Sequence, residues 1–458
     1  MATQEPPKPA KTLELRDGEV QPIVLGVPGA RVKVGHRHYT VSAAVPGDKV
    51  QIEPIHHKGD TPPARLRQLV SAGPDRVQAP CTLLNRCGAC TWQAQSYTSQ
   101  LEDKHKALVN ALGGLCSANI IAPIKGLRSP FGYRTRLLAQ AAPKTGKSRG
   151  LRMGFYQRGT MEVVATGGCP VQHPLTLAML VMVEQVLAAS PVRATTIKSP
   201  NGWLHGINIR VDPQSGATEL TLMGRTHKVP GGQNVIDRLA ALPGVSGLHL
   251  SINPKRSSYL NDGDIKRLHG KRRTGFHLGG QVFNVSPGAF FQTSIQGAEL
   301  LAETVLDMMP ERFDTLTDLY GGVGIFARLS HERWRRAVVV ESNPNSIEDL
   351  KHDLSRSDTP GRIKALAGKV EEMVDQLHEP APDVVVIDPP RSGCHPRVIG
   401  HLTDQRPPVI IYVACGIDAL KRDGAALLEG GYRIDRVEAV DMFPHTSHLE
   451  TVARFVAI

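Results

Sequence analysis

Two short apolar runs each end in a residue able to do chemistry. Val384–Ile387 leads into Asp388-Pro389-Pro390, and Val409–Ala414 leads into Cys415-Gly416. A carboxylate can hold hydroxyl or imide donors, and a thiol becomes a nucleophile once ionised. Both runs are rich in branched residues, as strands buried on both faces are. Proline ends the first, because it has no N–H to extend a central strand. Ile417, Leu420, Leu427 and Leu428 stand near helical spacing before Gly430-Gly431, which predicts a helix after the second. Parallel strands joined through helices bring their carboxyl ends to one edge, where such sheets bind ligands. Asp388 and Cys415 are therefore expected to face one crevice. A cysteine at a strand end is more often an inert core residue, so Cys415 depends on its context.

A second set of thiols stands upstream: Cys81-x5-Cys87-x2-Cys90, with Cys169 far away in Gly168-Cys169-Pro170. Three clustered thiols plus a distant Cys-Pro resemble an iron–sulfur ligand set more than zinc, whose structural sites usually pair two close couples. His173, four residues past Cys169, leaves a Cys3His zinc site as an alternative.

The elements that must position these residues fall into three parts. At 458 residues the chain is expected to hold two or three domains, and 41% apolar residues can supply their cores. Its net charge of +11 points to a polyanionic partner, nucleic acid before an acidic membrane. The first dozen residues are polar and Pro-rich without an apolar core, so no secretory leader is expected, and no run is long enough to span a membrane. A soluble, cytoplasmic, monomeric protein is expected, whose seven cysteines stay reduced.

Residues 13–72 read as a small β-barrel of the TRAM/OB type. Runs at 31–34, 39–44 and 49–55 are broken by Gly29, Pro46-Gly47 and Gly59-Asp60. Arg31, Lys33, Arg37, Lys49, Lys58, Arg65 and Arg67 give it a basic face suited to RNA, or simply a solvated one. Residues 73–280 read as a central α/β part: a charged helix within 93–112, hairpins around KTGKSRG and DPQSG, and an apolar helix over 174–188. Arg134, Arg136, Lys147, Arg149, Arg152 and Arg158, interleaved with Tyr133, Phe155 and Tyr156, form a mixture that can hold single-stranded RNA. Residues 281–458 read as a doubly wound, Rossmann-like α/β domain. In it Gly321-Gly322-Val323-Gly324 follows a strand at 315–319, and Glu341 ends the next strand, at the place where an acid commonly binds ribose hydroxyls. No phosphate-cradling GKS or GKT is present, which disfavours an NTPase, and hydride chemistry leaves the cysteine unexplained.

FNVSPGAFFQ, DLYGGVGIFA, DPPRSG, IIYVACG followed by LKRD, and FPHTSHLETV resemble, in order and spacing, the S-adenosylmethionine-dependent RNA 5-methyluridine methyltransferases. CTLLNRCGACTWQAQSYTSQLEDKHKAL with GGCPVQ is similar to the iron–sulfur region of that family's cluster-bearing branch. The resemblance implies a class I methyltransferase domain, with Gln292, Tyr320, Glu341 and Asp388 around S-adenosylmethionine. It places Phe290 and Asp388 on the target base, Cys415 as nucleophile, and Glu450 as the base that removes the C5 proton. Cys81, Cys87, Cys90 and Cys169 would hold a 4Fe-4S cluster. In bacterial relatives the barrel and cluster accompany large-subunit ribosomal RNA substrates, so rRNA is expected before tRNA. Ile325, Lys369, Ser294, Gly416-Ile417 and CGAC depart from the family's usual residues. Two rivals stand beside this reading. An N-methyltransferase also uses an Asp-Pro-Pro loop, but here Arg391 follows in place of an aromatic residue. A non-catalytic iron–sulfur RNA-binding factor on a relic fold would not bind S-adenosylmethionine.

Overall fold

Turns at Gly29, Gly35 and Gly47, all with positive φ, let five short strands close on themselves at the N-terminal end. The structure, a computed structural model, describes residues 15–27, 29–55, 61–144, 150–196, 200–252, 264–357, 361–377 and 381–458. The barrel strands are β1 (Arg16–Val20), β2 (Ala30–Val34), β3 (Arg37–Val41), β4 (Lys49–Pro54) and β5 (Pro63–Ser71), in the closed order β1-β2-β3-β5-β4. Val20, Val32, Tyr39, Val41, Val50 and Ile52 fill it. β1 and β5 escaped the sequence reading, because RDGEV and PARLRQLVS show few inward apolar residues. Lys58 of the basic set lies outside the described residues.

Helix α1 (Tyr97–Leu112) follows, and then a seven-stranded sheet. Its members are β6 (Arg136–Pro143), β7 (Leu151–Tyr156), β8 (Val163–Ala165), β9 (Leu204–Val211), β10 (Thr218–Gly224), β11 (Val245–Ile252) and β12 (Asp264–Gly270), in the order β12-β11-β10-β9-β6-β7-β8. The two expected hairpins appear as the antiparallel pairs β6–β7 and β9–β10. Most of the KTGKSRG turn, with Lys147 and Arg149, lies outside the described residues. Helices α2 (Pro174–Ala188) and α3 (Gly232–Ala240) pack on the sheet over a core of Leu137, Met153, Ile207 and Leu220. The hairpin β13 (Thr274–Leu278) and β14 (Gln281–Val285) leads onward.

The C-terminal part runs α4 (Ile295–Met308), β15 (Phe313–Leu319), α5 (Ile325–Leu329), β16 (Trp334–Glu341), α6 (Pro344–Leu354), β17 (Ile363–Ala367), α7 (Val370–Met373), β18 (Val384–Ile387), α8 (Pro396–Gln405), β19 (Val409–Ala414), α9 (Ile417–Glu429), β20 (Tyr432–Val440) and β21 (Glu450–Ala457). The sheet order is β17-β16-β15-β18-β19-β21-β20. The first five strands are parallel, and the order reverses between β15 and β18, which is where doubly wound sheets open a ligand crevice. β21 inserts antiparallel between β19 and β20. Helix α1 packs here: its Leu108 and Leu112 share a core with Ile387, Tyr412 and Leu427. Among the described residues no helix is long and apolar enough to cross a membrane.

Candidate active site

The carboxyl ends of β15, β16, β18 and β19 open on a cleft of about 1120 Å³. Phe290, Gln292, Tyr320, Glu341, Asp388, Cys415 and Glu450 all line it, so residues scattered along the C-terminal sequence meet at one edge. Asp388 and Cys415 arrive because β18 and β19 are parallel neighbours. Glu450 arrives by register. Ala414 stands opposite Thr451 in the antiparallel β19–β21 ladder, which brings the next residue of β19's chain, Cys415, beside the start of β21.

The floor is the turn after β15. Tyr320 takes a left-handed backbone (φ 59°), a conformation that costs energy for a non-glycine residue and clusters at functional sites. A Cβ on Gly321 would lie 2.7 Å from Val339 Cγ1, whereas one on Gly322 would meet nothing within 4 Å. The first glycine thus permits close packing, and the second presents open backbone to the cleft. Glu341 clamps this turn, accepting hydrogen bonds from Gly322 N (3.0 Å) and Asn343 N (2.6 Å) while its carboxylate keeps lone pairs toward the cleft. Beneath it, Asp318 is fully buried, and burial raises its carboxyl to about 8, with Asp388 and Glu341 adding to the rise. Burial, and then Glu341, likewise push Asp388 up to about 7. A deep crevice with exposed turn backbone and an acid at the second strand end fits an adenosyl cofactor.

Phe290, 54% exposed, stands in the cleft wall at the end of the Ser286–Ala289 loop. That loop is held from the central sheet. Buried Arg210 donates to Ala289 O (3.2 Å) and Ser286 O (2.6 Å) while its guanidinium pairs with Glu219. Asn343 Nδ2 donates to Gly288 O from the other side (3.0 Å).

Around Cys415 the charges are unbalanced. Burial pushes the Cys415 thiol up to about 11, and the Glu450 and Asp388 carboxylates add to this against Arg391. Glu450 rises to about 8, through burial and then Asp388, again opposed by Arg391. Both hold protons at neutral pH in the free protein. His448 is driven down to about 4 by burial and by Arg391, Lys104 and Arg134, so it is neutral there. Its ring nitrogens lie 3.4 and 3.5 Å from Arg391 Nη2.

The loop leading to Glu450 is gripped by the cysteine-bearing region. Lys104, with no exposed side chain, donates to Asp441 Oδ1 (2.7 Å) and His448 O (2.9 Å). Thr91 N and Trp92 N, just past Cys90, both donate to His445 O (2.9 and 3.1 Å). Gln100 Oε1 accepts from His445 N (3.0 Å), which helps hold His445 at φ 67°. Sequence reasoning missed Lys104, because a lysine between Asp103 and His105 reads as a solvated face. It also assigned no role to Asp318, Asn343 or His448, although His448 sits inside a motif it singled out.

Cys81, Cys87, Cys90 and Cys169 converge. Cys81 and Cys169 pack against the apolar cluster that contains Cys90. Burial raises the Cys87, Cys90 and Cys169 thiols, Cys90 to about 12, and the neighbouring thiols add to each rise. Among the described residues no group of three or more His, Cys, Asp or Glu is placed to hold a metal ion. A multi-iron cluster keeps its thiolates farther apart than one ion does. Buried donors without a partner, Arg134 Nε and Gln172 Nε2, stand in this region, and they fit anionic sulfur. His173, the fourth ligand of the zinc alternative, instead caps α2, its Nδ1 accepting from Leu175 N (3.3 Å).

The chain also matches known proteins. The family described as tRNA (Uracil-5-)-methyltransferase matches residues 280–455. An uncharacterized RNA methyltransferase of Gloeobacter violaceus is 33% identical over 425 residues, covering 90% of each chain. One from Halalkalibacterium halodurans is 27% identical over 461 residues, 98% of this chain and 99% of its own. The crystal structure of Pyrococcus abyssi tRNA (uracil-54, C5)-methyltransferase in complex with S-adenosyl-L-homocysteine superposes with a TM-score of 0.77 at 26% identity, covering 96% of this chain and all of that one. With the doubly wound domain and its cleft, these likenesses identify the chain as a member of the S-adenosylmethionine-dependent RNA (uracil-5) methyltransferase family.

Proposed function

We propose that this enzyme methylates C5 of a uridine in large-subunit ribosomal RNA through a transient bond between Cys415 Sγ and uracil C6. The observation that supports it most is the β19–β21 register, which puts Cys415 and Glu450 on the cleft shared with Asp388. Uracil C5 is a weak nucleophile; once the Cys415 thiol has lost its proton to solvent, addition of the thiolate at C6 moves electron density onto C5. When bound, S-adenosylmethionine supplies the methyl electrophile.

The chain's own residues do the rest. Glu341 accepts the ribose hydroxyls, Gln292 and Tyr320 wall the cofactor, and Asp388 lies between cofactor and base, where it meets the uracil edge. Phe290 stacks on a uridine flipped out of folded RNA. Glu450 takes the C5 proton. The electron pair of that C–H bond re-forms the C5–C6 double bond, the Sγ–C6 bond breaks, and the thiolate leaves with its pair. A carboxyl raised to about 8 suits a base working near neutral pH.

We assign Cys81, Cys87, Cys90 and Cys169 to a 4Fe-4S cluster, and the barrel's basic face, including Lys33 and Arg37, to the RNA backbone. The cluster takes no part in methyl transfer, which involves no net oxidation. Ribosomal RNA is placed first on the resemblance of barrel and cysteines to the bacterial rRNA branch. A tRNA uridine is the second reading, favoured by the P. abyssi protein, which is described as a tRNA methyltransferase. Mass spectrometry of rRNA and tRNA from cells lacking the gene separates the two. A 5-methyluridine missing from 23S-type RNA supports the first, one missing from tRNA the second, and none missing from either refutes both.

A further inference from the structure

Next to the main cleft, on the far side of Cys415, lies a smaller cavity of about 190 Å³. Its walls include Leu25 and Gly26 in the barrel's β1–β2 connection, Gly416 to Ala419 at the start of α9, and Ser447, His448, Leu449 and Thr451. Gly26 N donates to Ser447 O (3.1 Å), which ties the barrel to this wall. Arg391, Cys415 and His448 line both cavities.

We propose that this cavity receives the base of the nucleotide next to the target uridine, and that Asp418 selects a base carrying an exocyclic amine. The inference rests on the uridine reading above. An RNA strand that lays its uracil against Cys415 must carry its next phosphate past the wall the two cavities share, and Arg391 is a cation in that wall. Leu25 and Ile417 offer apolar surface to a base. Asp418 is exposed in the first turn of α9, and among the described residues its carboxylate has no hydrogen-bond or ion-pair partner. A carboxylate only accepts hydrogen bonds at neutral pH, so it disfavours a phosphate in the cavity. It accepts from the exocyclic amine of cytosine, adenine or guanine, whereas uracil offers only its imide N3–H, flanked by two carbonyl oxygens that a carboxylate repels. The barrel thereby shapes which uridine is chosen, in addition to adding affinity.

The test uses the full-length protein, S-adenosylmethionine, and unmodified transcripts of large-subunit rRNA and of tRNA. Mass spectrometry locates the methylated uridine, and each neighbour is then replaced by every base and by an abasic ribose. At one neighbour, uracil or an abasic site should raise KM about tenfold with kcat nearly unchanged. Asp418→Ala should bind all bases there alike while keeping the wild-type kcat. Leu25→Glu, which puts a charge in the base's apolar seat, should raise KM for every base at that neighbour. Equal KM for all bases at both neighbours in the wild type, or an undiminished preference in Asp418→Ala, overturns the proposal. Methylation without any neighbour preference would refute only this pocket. A protein that binds S-adenosylmethionine but methylates no uridine in either RNA would overturn the functional reading and this inference together.

Discussion

Replacing Glu450 by glutamine should split the proposed cycle at its midpoint. Burial holds the Cys415 thiol at about 11, and of the two carboxylates that add to the rise Glu450 contributes more than Asp388. At neutral pH the thiol therefore holds its proton in the free protein. Glutamine has nearly the same shape as the protonated carboxyl that stands there at neutral pH, so addition to C6 is not slowed. Removal of the C5 proton, in contrast, loses its general base, worth about 10²–10⁴ in rate. The methylated adduct then forms within one turnover and decays about 10²–10⁴ times more slowly. On denaturing gels with methyl-labelled donor, Glu450→Gln should show a labelled protein–RNA band approaching one per enzyme. Cys415→Ala and the Cys415→Ala, Glu450→Gln double variant should show none, while both still bind S-adenosylmethionine. The pH profile supplies an independent arm. The base works only when deprotonated, so decay of the methylated adduct in the wild type should quicken as pH rises through about 8, well above the ordinary carboxylate range. Glu450→Gln should lack that limb. Wild-type turnover by Glu450→Gln would mean another base, and 5-methyluridine made by Cys415→Ala would refute the covalent route.

Three further outcomes follow from the way the site is held. Lys104→Met leaves the Asp441 carboxylate buried and unpaired and should cost about 3–5 kcal/mol in denaturant melts. Lys104→Met, Asp441→Leu should regain most of that stability yet keep a lowered kcat, because His448 O is left without its donor; full recovery of kcat would show that Lys104 does not position the loop. Anaerobically purified protein should be brown and contain iron and sulfide, both absent from Cys81→Ser, and stoichiometric zinc without sulfide would refute the cluster. Lys33→Glu with Arg37→Glu, both exposed on the barrel, should weaken RNA binding and flatten its salt dependence by about 0.7–0.9 log units for each phosphate that is no longer neutralised, whereas an unchanged slope would show that this face does not touch RNA.

What could be read from the sequence was local. An apolar run stopped by Asp388-Pro389-Pro390 or by Cys415-Gly416, and a glycine turn after a strand, declare themselves, because burial and backbone freedom act on neighbouring residues. The turns of the barrel were legible for the same reason, but β1 and β5 were not, since a strand that buries only a few side chains leaves almost no alternation to detect. The helix of α1 was visible too. That its Lys104 lies inside the molecule, paired with Asp441, was not, because burial depends on what packs against a face and not on the face itself. The partnership of Cys415 and Glu450 belongs to the tertiary structure in the same way. Motif resemblance named both, but proximity comes from β21 turning antiparallel between β19 and β20, and a one-residue slip would send Glu450 to the opposite face. The small cavity beside Cys415 takes part of its wall from the barrel, where Gly26 is hydrogen-bonded to Ser447, which joins segments far apart in the chain. The sequence by itself determined which residue types stand at the strand ends, through short-range sterics and hydrophobic patterning. Which of them meet, and with what charge, was decided by the long-range packing of the barrel and the two seven-stranded sheets.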